Sequence, residues 1–551
     1  MTVTERRPRD RPAEGVAFAP FHWGALHAPA GAGQLNATTH GARDPASKQP
    51  ELKAAAVRLE RVRAGAVARP RASRPSRRLV VLGTGMAAME TVEELLRRAP
   101  EAAWRMTMLG EEPGVPFNRM LLSKLLAGTV GQGNLELRPP AWFAQRGVDL
   151  RGGSPAAAID LHERRVHDRT GIAHRFDALV IATGSRPFVP PIAGADRPGV
   201  LSFRTRADVA AIAASAQAAR AAVVIGGGLL GLEAAAGIRA CGAPVTVLEA
   251  AERLMPQQLD AAASRLLARA LGALGIRSVC GARVERIDET GVVVAGRDVV
   301  AADLVVVAAG IRPETTLAAQ AGLEVRRGVV VDDQLRASAH DVWAVGECAE
   351  HRGTVYGLWA PIAEQARVAG AAIAGDPAGF HGLTTATNLK VAGVDLFAGG
   401  EKGADAIDEL VWSDGRRGVY RRLLLDGDRL AGAILVGDTT EARELSLLLR
   451  TGEPVPERFL DPPGAPVAQT APQPSDVVCA CNGVSRGAIE GAIAANGLTS
   501  LAAVGRATRA ATGCGSCAAD VERLLAEHRE GSSSRNTSVT GRKPPVATIG
   551  A

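Results

Sequence analysis

Four of the seven cysteines lie in two close pairs near the C-terminal end of the chain, Cys479-x-Cys481 and Cys514-x-x-Cys517. Thiolates bind soft metal ions and iron–sulfur clusters, and two close pairs can supply two ligands to each side of one centre. A structural zinc ion uses the same four thiolates. The spacing alone therefore predicts a metal centre and leaves open whether it is an iron–sulfur cluster or zinc.

A glycine turn, Gly83-x-Gly85-x-x-Ala88, follows the apolar run LVVL and opens a segment with apolar residues at helical spacing. The first glycine permits the tight turn, the second lets the backbone approach a pyrophosphate at the helix N-terminus, and the small third residue allows close packing. The next strand ends in Glu111 and Glu112, and we predict that Glu112 accepts a hydrogen bond from a ribose hydroxyl. The alternative is that both glutamates are exposed turn charges.

A second glycine turn, Gly226-x-Gly228-x-x-Gly231, is followed by a strand that ends in Glu249. A carboxylate at this place pairs with a free 2′-hydroxyl and repels a 2′-phosphate, so we predict that NADH is preferred over NADPH. Arg253 lies close enough to weaken this preference. Its alternative interpretation is a solvated charge after the strand.

The same series of elements therefore occurs twice: a strand, a glycine turn, a helix and a second strand. We therefore predict an α/β chain with two dinucleotide-binding, Rossmann-like domains. Further β-branched strands end in small-residue turns at 182–184, 308–310 and 345–347. We expect these turns to deliver loops to a ligand.

The C-terminal third of the chain changes character. Residues 380–460 predict an α+β domain that contains a hairpin around Asp426-Gly427. Residues 461–475 are rich in Pro, Ala and Gln and predict a linker. The cysteine-bearing segment 476–530 is otherwise helical in composition, so we expect a small helical domain around the metal centre.

Composition and charge argue against several function classes. Aromatic residues make up 3% of the 551 residues, which argues against a base-stacking surface. Residues 1–78 carry fifteen Lys and Arg against six Asp and Glu, so the rest of the chain is close to neutral and no nucleic-acid partner is predicted. We find neither an apolar run long enough to span a membrane nor a secretory signal. Close cysteine pairs suit a reducing compartment, and we predict a cytoplasmic location.

Two nucleotide sites on one chain, with the three small-residue turns, resemble the two-dinucleotide flavoprotein superfamily over residues 79–375. The resemblance implies FAD in the first site and NAD(P)H in the second, inserted domain. It also implies further cofactor-binding residues: Arg119, Lys124, Thr183, Gly184, Gly310, Gly346 and Glu347. Glu347 stands where the superfamily usually has Asp beside the flavin ribityl chain. No cysteine precedes Cys241, so we expect electrons to leave the flavin without a disulfide.

The cysteine-bearing segments VCACNGVSRGAIEGAI and ATGCGSC together resemble the bacterioferritin-associated-ferredoxin-like 2Fe-2S domain. Both the C-x-C-N and the C-G-x-C turns are intact. The resemblance implies a 2Fe-2S cluster rather than zinc, with the four paired cysteines as its ligands.

A narrower resemblance concerns GECAEHRGTVYG, GLWAPIAEQARVAG and TNLKVAGVDLFAGG. These segments are similar to the flavin half of bacterial NADH nitrite reductases and to the electron-transfer subunits of assimilatory nitrate reductases. We find no siroheme half, which favours the nitrate reductase subunits. Residues 18–62 resemble the C-terminal piece of a molybdopterin nitrate reductase, and the alternative for this segment is an unrelated basic tail.

We therefore predict an NADH-dependent FAD and 2Fe-2S oxidoreductase that delivers electrons to a molybdopterin nitrate reductase catalytic subunit. Hydride transfer needs no catalytic side-chain acid or base. The alternatives are a reductase for a siroheme nitrite reductase or a ferredoxin-like carrier, and a non-enzymatic redox-sensing protein. The predicted boundaries are 1–78 for the basic extension and linker, 79–200 and 319–376 for FAD, 201–318 for NAD, 380–460 for the α+β domain, 461–475 for the linker, 476–530 for the cluster, and 531–551 for a disordered tail.

Overall fold

The computed structural model divides into two compact units, residues 1–75 and 76–551. It describes residues 2–5, 16–17, 57–60, 76–99, 103–376, 378–384, 386–391, 394–401, 403, 408–461, 472–479, 482–513 and 515–536. In the first unit, an antiparallel sheet is formed by β1 (Thr2–Glu5), β2 (Val16–Ala17) and β3 (Val57–Glu60). Most of the segment 18–62, for which we noted a resemblance, lies outside the described residues.

The second unit opens with a dinucleotide-binding domain. Its elements are β4 (Arg77–Leu82), α1 (Met86–Arg98), β5 (Trp104–Gly110), α2 (Leu122–Leu126), α3 (Pro140–Gln145), β6 (Val148–Gly152), β7 (Ala156–Asp160), β8 (Arg165–Asp168), β9 (Ala173–Arg175), β10 (Ala178–Ile181) and β11 (Ser185–Pro187). Short 3₁₀ helices cover Arg119–Leu121 and Gln132–Leu135. Strand β4 begins at Arg77, so the last two residues of the predicted linker belong to the sheet.

An inserted domain follows. Its elements are β12 (Val200–Ser202), α4 (Arg206–Ala218), β13 (Ala222–Ile225), α5 (Leu229–Ala240), β14 (Val245–Glu249), α6 (Ala261–Ala273), β15 (Ile276–Cys280), β16 (Val284–Asp288), β17 (Gly291–Val294), β18 (Val300–Ala301) and β19 (Leu304–Val307). The parallel sheet has the order β12-β19-β13-β14-β15, and β16-β17-β18 form an antiparallel sheet beside it.

The chain then returns to the first domain. The returning elements are β20 (Ile311–Pro313), α7 (Thr316–Gln320), β21 (Val329–Val331), β22 (Val342–Ala344), a 3₁₀ helix (Gly346–Cys348), β23 (Ala349–His351), β24 (Thr354–Val355) and α8 (Trp359–Ala374). Strand β22 completes a parallel sheet of order β22-β10-β4-β5-β6. Strands β4 and β10 are apolar runs buried on both faces, as parallel sheets covered by helices require. The predicted two-dinucleotide α/β fold is confirmed.

The next domain is an antiparallel sheet of order β25-β26-β29-β28-β27. Its elements are β25 (Ala386–Val391), β26 (Val394–Gly400), β27 (Asp408–Asp414), β28 (Val419–Asp426), β29 (Arg429–Val436), α9 (Ala442–Thr451) and a 3₁₀ helix (Glu457–Phe459). Asp426 pairs with Arg429 across the turn, and Gly427 has a φ of +61°, so the predicted hairpin is confirmed. Helix α9 packs Leu445 against Phe397 in the core of this domain.

The C-terminal domain is small and mostly helical. Its elements are β30 (Val477–Cys479), β31 (Val484–Ser485), α10 (Arg486–Asn496), α11 (Leu501–Thr508) and α12 (Ala518–Asn536). Helix α12 continues to Asn536, so the first six residues of the predicted disordered tail, 531–536, are helical. Among the described helices none could cross a membrane alone, whereas α10 and α11, bent by 110°, meet the length and composition criteria as a pair.

Candidate cofactor sites

The first glycine turn joins β4 to α1. Gly83 has a φ of +115°, and a Cβ there would lie 2.2 Å from the carbonyl oxygen of Ala182, so only glycine fits. Gly85 is the N-cap of α1 and has no side-chain cap, and no atom lies within 4 Å of where its Cβ would be. Ala88 is fully buried. The open space at an uncapped helix N-terminus fits a pyrophosphate.

The second turn, between β13 and α5, repeats this geometry. Gly226 has a φ of +118°, and its Cβ would lie 2.3 Å from the carbonyl oxygen of Ala308. A Cβ on Gly231 would lie 2.0 Å from the carbonyl oxygen of Gly226, so the helix approaches the turn closely. Gly228 is an uncapped N-cap that faces open space. This turn also fits a pyrophosphate.

Glu249 lies at the end of β14, directly beside the second turn. Its carboxylate accepts hydrogen bonds from the backbone N–H groups of Gly227 (2.6 Å) and Ala251 (2.8 Å). The Arg253 Nε donates to the carbonyl oxygen of Leu259 at 3.1 Å, within its own loop. The preference for NADH, which rests on Glu249, stays a prediction.

A group of partly buried charges joins the segments that follow β5, β12 and β22. Glu112 pairs with Arg119 at 2.6 Å, and Arg119 also donates to the carbonyl oxygen of Arg204 at 3.0 Å. Glu347 accepts a hydrogen bond from Ser185 at 2.7 Å and forms an ion pair with Arg204. Burial and the Arg204 charge lower the pKa of Arg119. Each of the two guanidinium groups is thus paired with a glutamate carboxylate.

Arg204 was not among the predicted site residues. It follows β12 in the segment FRTRADV, and no motif in the sequence marks it. Its Nε is buried and has no hydrogen-bond partner in the described part of the structure. Gly184, which was predicted, lies against it, because a Cβ on Gly184 would be 3.7 Å from the Arg204 guanidinium.

Two of the small-residue turns, 182–184 and 345–347, follow neighbouring strands of the first sheet, whereas the turn 308–310 follows β19 of the second sheet. The Thr183 hydroxyl donates to the carbonyl oxygen of Glu314 at 2.6 Å, and the Glu314 N–H donates to Gly184 at 2.9 Å. Gly310 has a φ of +114° and open space around it. Gly346 donates its N–H to Gln365 at 3.1 Å.

Gln365 is a fully buried amide on α8 whose Nε2 has no partner within the described residues. A buried orphan donor is costly and suggests a missing acceptor, so this atom also fits a bound cofactor. Gln365 lies in the segment GLWAPIAEQARVAG, but no motif in the sequence marks it as a site residue.

Lys124 and Glu233 lie where α2 packs against α5. Burial raises the pKa of Glu233 to about 7, while a hydrogen bond to Ser123 and the Lys124 charge oppose the rise. Lys124 was predicted, whereas Glu233 was missed. A signal was present, since Glu233 follows the last glycine of the turn, Gly231, by two residues and lies within α5.

The structure describes two of the four predicted cluster ligands. Cys479 ends β30 and Cys517 precedes α12, and both are buried in one hydrophobic core. Cys481 and Cys514 lie outside the described residues. Gly515, with a φ of +73°, turns the chain between the second cysteine pair, and its Cβ would lie 3.5 Å from the Nζ of Lys124. Two buried thiol side chains beside a glycine turn fit an iron–sulfur cluster.

Contacts with the first dinucleotide-binding domain hold both cysteine turns. Asn118 donates to the carbonyl oxygens of Thr512 (2.9 Å) and Gly513 (2.8 Å). The indole N–H of Trp359 donates to Asn482 at 3.3 Å. The turn of the second cysteine pair therefore lies against the segment that carries Arg119 and Lys124, and the turn of the first pair lies against the start of α8.

The other three cysteines, Cys241, Cys280 and Cys348, are isolated, and burial raises the pKa of each thiol. A raised pKa keeps the thiol protonated, which is the opposite of what a reactive cysteine needs. Cys348 is buried, whereas Cys241 and Cys280 are partly buried.

Three family models match the chain. The pyridine nucleotide-disulphide oxidoreductase model covers residues 77–372, the rubredoxin NAD+ reductase C-terminal domain covers 386–453, and the BFD-like 2Fe-2S binding domain covers 477–527. The last match decides the open question of the metal centre in favour of a 2Fe-2S cluster.

Curated relatives match most of the chain. The chain is 36% identical to NAD(P)H nitrite reductase of Bacillus subtilis over 83% of its own length, and 37% identical to the assimilatory nitrate reductase electron transfer subunit of the same organism over 81%. It spans 58% and 59% of these relatives. The crystal structure of the covalent putidaredoxin reductase–putidaredoxin complex is 26% identical, with a TM-score of 0.64, over 71% of this chain and 97% of that one.

The matched domains agree with the two glycine turns and with the cysteine turns in the same places along the chain. This assignment replaces the non-enzymatic alternative, because the family and its relatives are oxidoreductases. The chain belongs to the pyridine nucleotide-disulphide oxidoreductase family, as an NAD(P)H-dependent flavoprotein oxidoreductase with FAD, NADH and 2Fe-2S cluster cofactors.

Proposed function

We propose that this protein takes electrons from NADH at the second glycine turn and passes them through FAD and its own 2Fe-2S cluster to a molybdopterin nitrate reductase in nitrate assimilation. Support comes from the 37% identity to an assimilatory nitrate reductase electron transfer subunit. The resemblance of residues 18–62 to a piece of a molybdopterin nitrate reductase points in the same direction.

The observation that carries the internal electron route is the contact between the cluster turn and the flavin-binding segment. Lys124, predicted to lie at the flavin, approaches Gly515 between the second cysteine pair. Asn118, next to Arg119 in the same segment, is hydrogen-bonded to the residues just before Cys514. A cluster held by these cysteines would adjoin the flavin site without any large domain movement.

The residues of the chain position the cofactors. Gly85 and Gly228 would leave room for the two pyrophosphates, and Arg119 and Arg204 would balance the charge of the first. Glu249 would select the unphosphorylated ribose. When bound, FAD accepts two electrons as a hydride and releases them singly, which suits a one-electron cluster.

The second candidate is a reductase component for a siroheme nitrite reductase. It is favoured by 36% identity to an NAD(P)H nitrite reductase, which is nearly equal to the identity with the nitrate reductase subunit. The cytoplasmic location also stays a prediction, supported by the two close cysteine pairs.

The test mixes the purified flavoprotein with a molybdopterin nitrate reductase catalytic subunit from the same source and follows nitrite formation from nitrate, driven by NADH. The matched control is Cys514→Ser, which should lose transfer to the partner but keep NADH oxidation with an artificial dye. If nitrate is not reduced while a siroheme partner converts nitrite to ammonia, the second candidate replaces the first.

A further inference from the structure

The Asn118 side chain makes three hydrogen bonds. Its oxygen accepts one, and its amide nitrogen donates the other two. The side chain is buried, with 4% of the residue exposed. Its Oδ1 accepts from the backbone N–H of Met120 at 2.9 Å, while its Nδ2 donates to Thr512 and Gly513. Only a primary amide supplies two donors and one acceptor in this arrangement.

The two acceptors belong to the cluster domain, nearly 400 residues further along the chain. They are the backbone carbonyl groups directly before Cys514. Buried carbonyl groups need a partner, and water cannot easily replace a donor at a buried contact. Asn118 therefore satisfies the backbone of the turn that carries a predicted cluster ligand.

The other cysteine turn is held in the same network. Asn482, which follows Cys481, donates to the carbonyl oxygen of Arg509 at 2.8 Å and to the Thr512 hydroxyl at 3.3 Å. It accepts from the Trp359 indole N–H at 3.3 Å. Two side chains of the flavin-binding part thus contact both cysteine turns.

We infer that Asn118 is a positioning residue for electron transfer between flavin and cluster, with Trp359 as a second, weaker anchor. The inference deepens the proposed function and rests on its internal electron route. Asn118 directly precedes Arg119 and shares a segment with Lys124, so the same stretch of backbone that would contact the flavin also fixes the cluster turn. The placement of one cofactor is thereby tied to the placement of the other.

A purely structural role would be to cap the 3₁₀ helix Arg119–Leu121. That role uses only Oδ1, which accepts from Met120. Asn118→Asp separates the two roles, because a carboxylate still accepts from Met120 but cannot donate to the two carbonyl groups and repels them instead.

The experiment compares the holoprotein with Asn118→Asp and with Asn134→Asp as the matched control. Asn134 caps a neighbouring 3₁₀ helix through its Oδ1 and lies at an exposed position. Deuterium exchange of residues 509–517 reports how often the cluster turn opens, and stopped-flow absorbance follows cluster reduction after mixing with NADH. NADH oxidation with ferricyanide reports the flavin alone.

In Asn118→Asp we expect exchange in 509–517 to rise and cluster reduction to slow by about tenfold, because two buried hydrogen bonds are lost. The KM for NADH and the ferricyanide rate should match wild type, as should every measurement on the control. If Asn118→Asp does not fold, Trp359→Phe, which loses a single N–H donor, should show the same changes at about threefold.

Two different failures are distinguishable. If NADH reduces the wild-type cluster and the Asn118→Asp cluster equally fast, with unchanged exchange in 509–517, the inference is overturned while the proposed function stands. If NADH reduces the flavin of the wild-type protein but never its cluster, the internal electron route itself is wrong, and the inference fails with it.

Discussion

The two glycine turns have nearly the same backbone conformation, but the side chains around them differ. Gly83 and Gly226 share the same positive φ and the same close approach to a neighbouring carbonyl group. Each third small residue is followed, two positions later, by a glutamate, Glu90 on α1 and Glu233 on α5. The local sequence therefore sets up two equivalent helix starts.

The two glutamates then meet different neighbours. Glu90 forms ion pairs with Arg367 of α8 and with Arg509 of the cluster domain. Glu233 lies against α2 near Ser123 and Lys124. The same helix position thus anchors a domain in one half and leaves a carboxyl group of raised pKa in the other. The glycine motif therefore fixes the backbone of each turn, while the packing of distant segments decides the chemistry around it.

The largest expected effect comes from substitutions that disrupt each glycine turn separately. Gly83→Ala and Gly226→Ala each place a Cβ within 2.3 Å of a backbone carbonyl oxygen, at a cost of about 3 kcal/mol or more. Gly83→Ala should yield protein without bound flavin, whereas Gly226→Ala should keep the flavin spectrum but lose its bleaching by NADH. Gly242→Ala is the control, since Gly242 has a φ of +105° without any clash. Flavin loss in both variants would show that the halves are not independent.

The second prediction concerns the pH dependence of folding stability that Glu233 causes. Its pKa is raised from 4.5 to about 7, so the folded state holds a proton that the unfolded state releases. Stability should therefore fall as the pH rises from about 4.5 through 7, by about 3 kcal/mol in total. Glu233→Gln cannot titrate, so its Tm relative to wild type should increase between pH 5 and pH 8. A constant Tm difference over this range would contradict the raised pKa.

The next prediction compares the stability cost of substituting the last small residue of each glycine turn, Gly231 or Ala88. Gly231→Ala should destabilise the second domain by about 2 kcal/mol, because its Cβ would lie 2.0 Å from the Gly226 carbonyl oxygen. Ala88→Gly should cost only about 1 kcal/mol through lost helix propensity. Thermal unfolding with flavin and NADH titrations compares them, and a larger loss for Ala88→Gly would reverse the comparison.

The smallest effect concerns donor selection. Glu249→Ala should lower kcat/KM for NADH by about tenfold, since one charge-assisted hydrogen bond is removed, and narrow the gap to NADPH. Glu252→Ala, an exposed neighbour in the same loop, is the matched control. A wild-type preference for NADPH would instead indicate that Arg253 or another base governs the pocket.

Much of the fold followed from local patterns. Both glycine turns, the Asp426-Gly427 hairpin and the small helical C-terminal domain lie where the sequence predicts them, because each depends on residues adjacent in the chain. The exact ends of the helices and strands were harder to predict from the sequence, and both β4 and α12 extend past the predicted boundaries. Strand and helix ends are set by the neighbours that pair or pack there, which local composition does not report.

The sequence by itself determined which residues could hold dinucleotides and a metal cluster, because glycine at positive φ and closely spaced thiols are requirements of local geometry. Only the tertiary structure decided what surrounds them. Arg204 reaches Glu347 across 143 residues and Asn118 reaches Gly513 across 395. Such contacts arise from how whole domains pack, and no local pattern encodes them, so Arg204 and Asn118 became visible as candidate site residues only in the folded chain.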